Sequence, residues 1–194
     1  MYIAPNRAWG WVLMSRVAVF IDGAHLDFTV RHEFPGTRID YGKLATELVP
    51  PGLDLLRTYY YHCPPYQSNP PSPEEKIRKA SFDRFHDALQ KLPRFQVRLG
   101  VLAKRTAGGQ VYFEQKRVDI LLGVDLVRLS AKDQINEAVI VAGDSDFLPA
   151  IDAAKDDGIL IRLVHGPDTH DALRVAADER KRIDKAFIDR VKRR

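Results

Sequence analysis

The chain has 194 residues, carries 30 Lys and Arg against 26 Asp and Glu for a formal net charge of +4, and is 45% hydrophobic. That length supports one domain with a core of its own, and the composition excludes collagen-like, disordered and disulfide-scaffold chains. The longest apolar runs, such as Val17–Ile21 and Ala138–Ala142, are five residues long, against roughly 18 for a membrane span. With a lone Cys63 and no secretory signal read ahead of the first strand, a reducing cytoplasm is the expected location.

Residues 1–15 lack periodicity and read as a flexible leader, or as an extension upstream of Met14. Val17–Ile21 is a continuous apolar, β-branched run closed by Asp22-Gly23, as expected of a strand buried on both faces. Ala24–Glu33 is predicted helical, and Asp40 caps a second helix that Pro50-Pro51-Gly52 ends. Leu53–His62 is the next strand, with Tyr59, Tyr60 and Tyr61 either in the core or free to stack on bases. Five prolines between Cys63 and Pro73 force a loop. Glu74–Leu92 is an amphipathic helix, and Phe95–Leu102 alternates as a half-exposed strand. Lys104–Gln110 is a glycine turn, with Val111–Phe113 as a short hairpin return. Val118–Ala131 is helical, with Ile120, Leu121, Val124, Val127 and Leu129 supplying its apolar spacing. Glu137–Ala142 is a buried strand, Phe147–Asp157 a helix, Ile159–Val164 a third buried strand, and Asp168–Ala177 and Arg180–Val191 close the chain as helices. Strands that alternate with helices and lack polar alternation predict an α/β three-layer sandwich on a mostly parallel sheet. Residues 16–178 form the domain, and 179–194 a basic C-terminal helix or tail.

The charge is unevenly spread: −2 over residues 1–75, +8 over 76–117, −7 over 118–178 and +5 over 179–194. Ligands bind open parallel sheets at the carboxyl ends of strands. Two buried strands end there in acids, Asp22 on one and Asp144-Ser145-Asp146 on the other, and Asp119 opens a helix after Lys116-Arg117-Val118. If the two strands are neighbours, Asp22, Asp144 and Asp146 converge within a few ångströms. Carboxylates that crowded need protons or a shared cation, and an all-oxygen set suits Mg²⁺ or Mn²⁺. Singly, each acid also has a plain structural use as a turn, cap or first-turn residue. Lys116 and Arg117 are the first candidates for phosphate contacts, followed by Lys104 and Arg105. A Walker loop, a dinucleotide fingerprint, a Gly-x-Ser-x-Gly elbow and paired zinc-ligand spacing are all missing from the sequence. A dehalogenase-type phosphatase would need Asp where Ala24 stands.

The motifs Phe20-Ile21-Asp22-Gly23-Ala24-His25-Leu26, Lys116-Arg117-Val118-Asp119 and Gly143-Asp144-Ser145-Asp146-Phe147-Leu148-Pro149 resemble, in order and spacing, those of the NYN-domain family of PIN-like nucleases. The resemblance implies a PIN-like fold, an acid cluster of Asp22, Asp119, Asp144 and Asp146 binding Mg²⁺ or Mn²⁺, and ribonuclease activity in at least some members. It gives supporting roles to Ser145 and Asp125. His25 stands where the family usually has Asn, and an imidazole offers different hydrogen bonds and a proton near neutral pH. RNA is the partner so implied, met either by a metal-dependent endoribonuclease or by a catalytically weak RNA-binding module of the same fold. A sheet edge or the tyrosine strand could also support a homodimer.

Overall fold

A computed structural model describes residues 15–194, so the leader expected at 1–15 lies almost wholly outside the described residues. Six parallel strands form the central sheet in the order β3-β2-β1-β6-β7-β8: β1 (Arg16–Asp22), β2 (Asp54–His62), β3 (Phe95–Leu99), β6 (Glu137–Val141), β7 (Leu160–His165) and β8 (Glu179–Arg182). The two apolar runs that carry acids at their ends lie side by side at the centre, with Val17–Ile21 paired to Glu137–Val141. Because side chains alternate along a strand, Val17, Val19 and Ile21 enter one half of the core and Ala18 and Phe20 the other.

One face packs against α1 (Gly23–Glu33), α2 (Tyr41–Leu48), α3 (Pro73–Gln90) and α7 (Lys185–Val191), through Leu26, Leu44, Leu89 and Phe187 among others. The other packs against α4 (Val118–Ser130), α5 (Leu148–Asp156) and α6 (Asp171–Ala176), through Leu122, Ile151 and Leu173. The predicted three-layer α/β architecture is the observed one. Helix starts follow their caps. Asp22 and Asp40 accept backbone N–H groups of α1 and α2, and Ser72 forms a reciprocal capping box with Glu75 ahead of Pro73. Among the described residues no helix is long and apolar enough to cross a membrane.

Several local expectations are corrected. The strand read over Phe95–Leu102 breaks at Gly100, where a side chain would strike the Lys116 carbonyl at 2.5 Å, Val118 at 2.9 Å and Cys63 at 3.0 Å. There the chain leaves the sheet and forms a long antiparallel ribbon, β4 (Val101–Ala107) with β5 (Gln110–Lys116), instead of a short return. Gly108 and Gly109 turn it with positive φ angles of 58° and 77°. On α4 the face is rotated from the one expected. Val118, Leu122, Asp125, Leu126 and Leu129 are buried, whereas Ile120 and Val124 are 69% and 57% exposed. That helix is apolar nearly all round, so periodicity alone could not select its buried stripe. Asp168–Ala177 is helical only over α6. Arg180–Val191 is not one helix, because its first residues form the edge strand β8. All three tyrosines of β2 are buried, which removes them as base-stacking surfaces.

Candidate active site at the sheet switch point

Chain order reverses between β1 and β6, since β2 and β3 extend the sheet on one side and β7 and β8 on the other. Such a switch opens a crevice beyond the carboxyl ends of the two strands. Asp22 ends β1 there. Its Oδ1 accepts N–H bonds from Ala24 (2.9 Å) and His25 (3.2 Å). Burial pushes its carboxyl up to about 6, the two backbone bonds pull it back, and the charge of Asp119 raises it further. Asp119, in the first turn of α4, is raised by burial and then by Asp144 and Asp146. Asp144 and Asp146 are exposed; Asp144 accepts the Asp146 N–H at 3.0 Å and starts a 3₁₀ turn over Ser145–Phe147, in which Ser145 is half-buried. Asp119 thus senses Asp22 on one side and Asp144 and Asp146 on the other. The acids gather at the same end of the sheet without closing on one another: among the described residues no three Asp, Glu, His or Cys side chains are close enough to hold an ion.

His25 has a specific position. Its Nε2 accepts the Gly166 N–H at 3.3 Å, and a side chain at Gly143 would meet its ring at 2.5 Å. The imidazole therefore ties the ends of β1, β6 and β7 together. Burial, with His165 adding to it, lowers its pKa to about 4, so it works as a neutral acceptor.

Asp125 stands apart from the crevice acids. It is buried on α4, accepts the Tyr61 hydroxyl at 3.0 Å, and is gripped by Arg98 (3.0 Å) and Arg128 (2.8 Å). Its role is to join α4 to β2 and β3, not to reach the crevice. Of the proposed phosphate contacts, Arg117 precedes α4 in a left-handed conformation (φ 75°) and forms no ion pair among the described residues. Lys116 and Arg105 share Glu114 at 3.5 and 3.1 Å, and Lys104 lies 5.6 Å above the Tyr66 ring.

One residue that sequence reading passed over is His62 at the end of β2. Its ring lies where a side chain at Gly23, next to Asp22, would meet it at 2.8 Å, and its Nε2 lies 3.5 Å from Asp27. Its Nδ1 accepts the Cys63 N–H at 2.7 Å, which leaves the ring proton on Nε2 toward Asp27. The only signal in the sequence was its place at the carboxyl end of a strand next to β1.

A family model described as NYN domain matches residues 16–184. The chain belongs to the NYN domain family. The parallel sheet and its flanking helices are those of a PIN-like NYN fold, and membership associates the chain with nuclease-like, RNA-related function. A Vibrio parahaemolyticus protein of unknown function is similar in structure, with a TM-score of 0.66 and 18% identity over 93% of this chain and 97% of that one. The likeness is one of fold. An aureusimine biosynthetic cluster reductase domain also matches, at 9% identity and a TM-score of 0.27 over 78% of this chain and 32% of that one, too low to carry an argument. No curated protein matches.

NYN and PIN-like nucleases usually use divalent metals. The donors here fit a hard divalent ion, being carboxylate oxygens, of which those of Asp22 and Asp119 resist ionisation through burial and then through neighbouring acids, a charge a cation would relieve.

Proposed function

We propose that this NYN domain is a metal-dependent endoribonuclease. The observation that supports it most directly is a chain of charge across the switch point: Asp22 is raised by burial and by Asp119, and Asp119 by burial and by Asp144 and Asp146 at the neighbouring strand end. Asp22, Asp119, Asp144 and Asp146 would hold Mg²⁺ or Mn²⁺. When bound, such an ion lowers the pKa of a water and neutralises charge on the departing oxygen. The chain's own groups do the rest. Arg117 and Lys116, at the start of α4 and the end of β5, draw the RNA backbone toward acids that would otherwise repel it. His25 fixes the three strand ends without adding a charge. Water attack on phosphorus with departure of the 3′ oxygen leaves 5′-phosphate and 3′-hydroxyl ends.

The test is a divalent-ion screen on labelled RNA with wild type and Asp144→Asn. Cleavage that requires Mn²⁺ or Mg²⁺ and disappears in the variant is expected, and unaltered cleavage in Asp144→Asn overturns the reading. A second reading, an RNA-binding module without turnover, is favoured by one observation: the four acids do not approach to ligand distance. Salt-sensitive RNA binding with no turnover under any divalent ion selects it.

A further inference from the structure

Beside the acids lies a cavity of about 500 Å³ between the middle of α3, the end of β2, the proline loop and the base of the β4–β5 ribbon. We propose that it holds an unpaired base of the RNA, next to the phosphodiester presented to the acids; the proposal rests on the ribonuclease reading and adds a base-binding site formed by α3, the end of β2 and the proline loop.

The volume falls within the range of small-ligand sites, about 300–1,000 Å³. Arg78, Ser81, Phe82 and Phe85 recur at helical spacing along one stripe of α3, and all four line the cavity with His62 and Leu102. The aromatic rings are held in place by each other. Phe82 stacks on His86 with centroids 3.7 Å apart, and His62 meets Phe82 edge to face at 5.7 Å. Both nitrogens of His62 are engaged, by the Cys63 N–H and by Asp27, so the ring has a surface to offer rather than a hydrogen bond to read a base. Arg78 is exposed and forms no ion pair among the described residues, leaving a guanidinium for a phosphate or a base plane.

Charge and position select the occupant. Asp22 pairs across the sheet with Tyr61, the residue before His62, and the Cys63 Sγ lies 4.0 Å from the carbonyl of Lys116, three residues before Asp119, so whatever fills the cavity adjoins the acids. A polyanion with planar apolar groups matches aromatic walls, a free arginine and a neighbouring cation site; unpaired bases stacked on aromatic side chains are how single strands are generally held. A duplex keeps its bases stacked inside and cannot fill the cavity.

The experiment uses full-length Asp144→Asn protein in EDTA and a short RNA with one 2-aminopurine, whose fluorescence stacking quenches. Quenching on binding is expected, lost together with about tenfold in affinity in Phe82→Leu, and absent for the same RNA in a duplex. Ser81→Phe, which fills the cavity from its exposed rim without touching the core, is the second variant and should act likewise. Equal quenching and affinity in both variants overturn the base site. Failure of the parent reading looks different: the wild type then quenches the probe as described but cleaves no RNA under any divalent ion. Wild type that neither binds nor quenches overturns both.

Discussion

Asp22 and His25 lie three residues apart at the start of α1, and burial moves their proton affinities in opposite directions. Asp22 titrates near 6 in the folded chain against an ordinary 3.8. Its contribution to stability is complete below 3.8 and is lost as pH rises through 6. His25 titrates near 4 against an ordinary 6.5, so its contribution is complete above 6.5 and is lost as pH falls through 4. Between pH 4 and 6 the two slopes oppose each other at roughly 1 kcal/mol per pH unit each. Denaturation measured in EDTA should show the two contributions offsetting each other in wild type, so that each is exposed only when the other group is replaced. Asp22→Asn, which can still cap the helix, should become more stable with rising pH across that window, and His25→Gln less stable. Parallel slopes in both variants would contradict the opposition. The acids were legible in the sequence because apolar runs ended in them. The latch made by His25 was not, because its partner Gly166 is 141 residues away and no local pattern encodes a contact across three strands.

At the scale of elements, α4 shows how a charge can be structural in a helix that also begins at the crevice. Asp119 and Asp125 are six residues apart, about 600° of helix, which places them on different faces. Asp125 buries its carboxylate under Arg98, Arg128 and Tyr61. Asp125→Ala should therefore destabilise the fold by about 3 kcal/mol in urea titration, because it leaves the buried Tyr61 hydroxyl and two arginines without their acceptor. Asp144→Asn should leave the midpoint almost unchanged, Asp144 being exposed. The ribbon β4–β5 is separable in a different sense. Val101 and Lys116 face each other at its base, so replacing residues 103–114 with a two-residue Asn-Gly turn closes the chain with little strain. That version should fold with a near-native melting temperature and bind RNA more weakly with a flatter salt dependence, since Lys104 and Arg105 go with it. Alternation along the strand was visible in the sequence, but the exit at Gly100 was not. It follows from the Lys116 carbonyl crowding that glycine from a distant position in the chain.

Over the whole molecule, the basic C-terminus, whose +5 would suit an RNA-binding arm, is packed into the fold. Lys181 and Arg190 both pair with Glu47 at 2.9 Å, Arg182 faces Glu33, and Lys185 and Lys192 flank Asp189. Phe187, Ile188 and Val191 are buried, and the Asp40 N–H donates to the Val191 carbonyl. Ending the chain at Asp184 should thus lower the melting temperature by several degrees or more, as losing three core side chains does, while RNA affinity per folded molecule stays within about twofold. An unchanged melting temperature with lost binding would restore the arm. Net charge by segment was readable from sequence; its partial offset by Glu33 of α1 and Glu47 of α2 needed the fold. The central pairing of β1 with β6 also sets an order in time. Residues 17–21 wait for 137–141 to be made, and a chain still growing on a ribosome has one acid end of the crevice and not the other. No set of Asp22, Asp119, Asp144 and Asp146 exists before residue 146 has been added and has left the exit tunnel, so under the proposed ribonuclease function a nascent chain, held against the RNA that encodes it, cannot yet act on it.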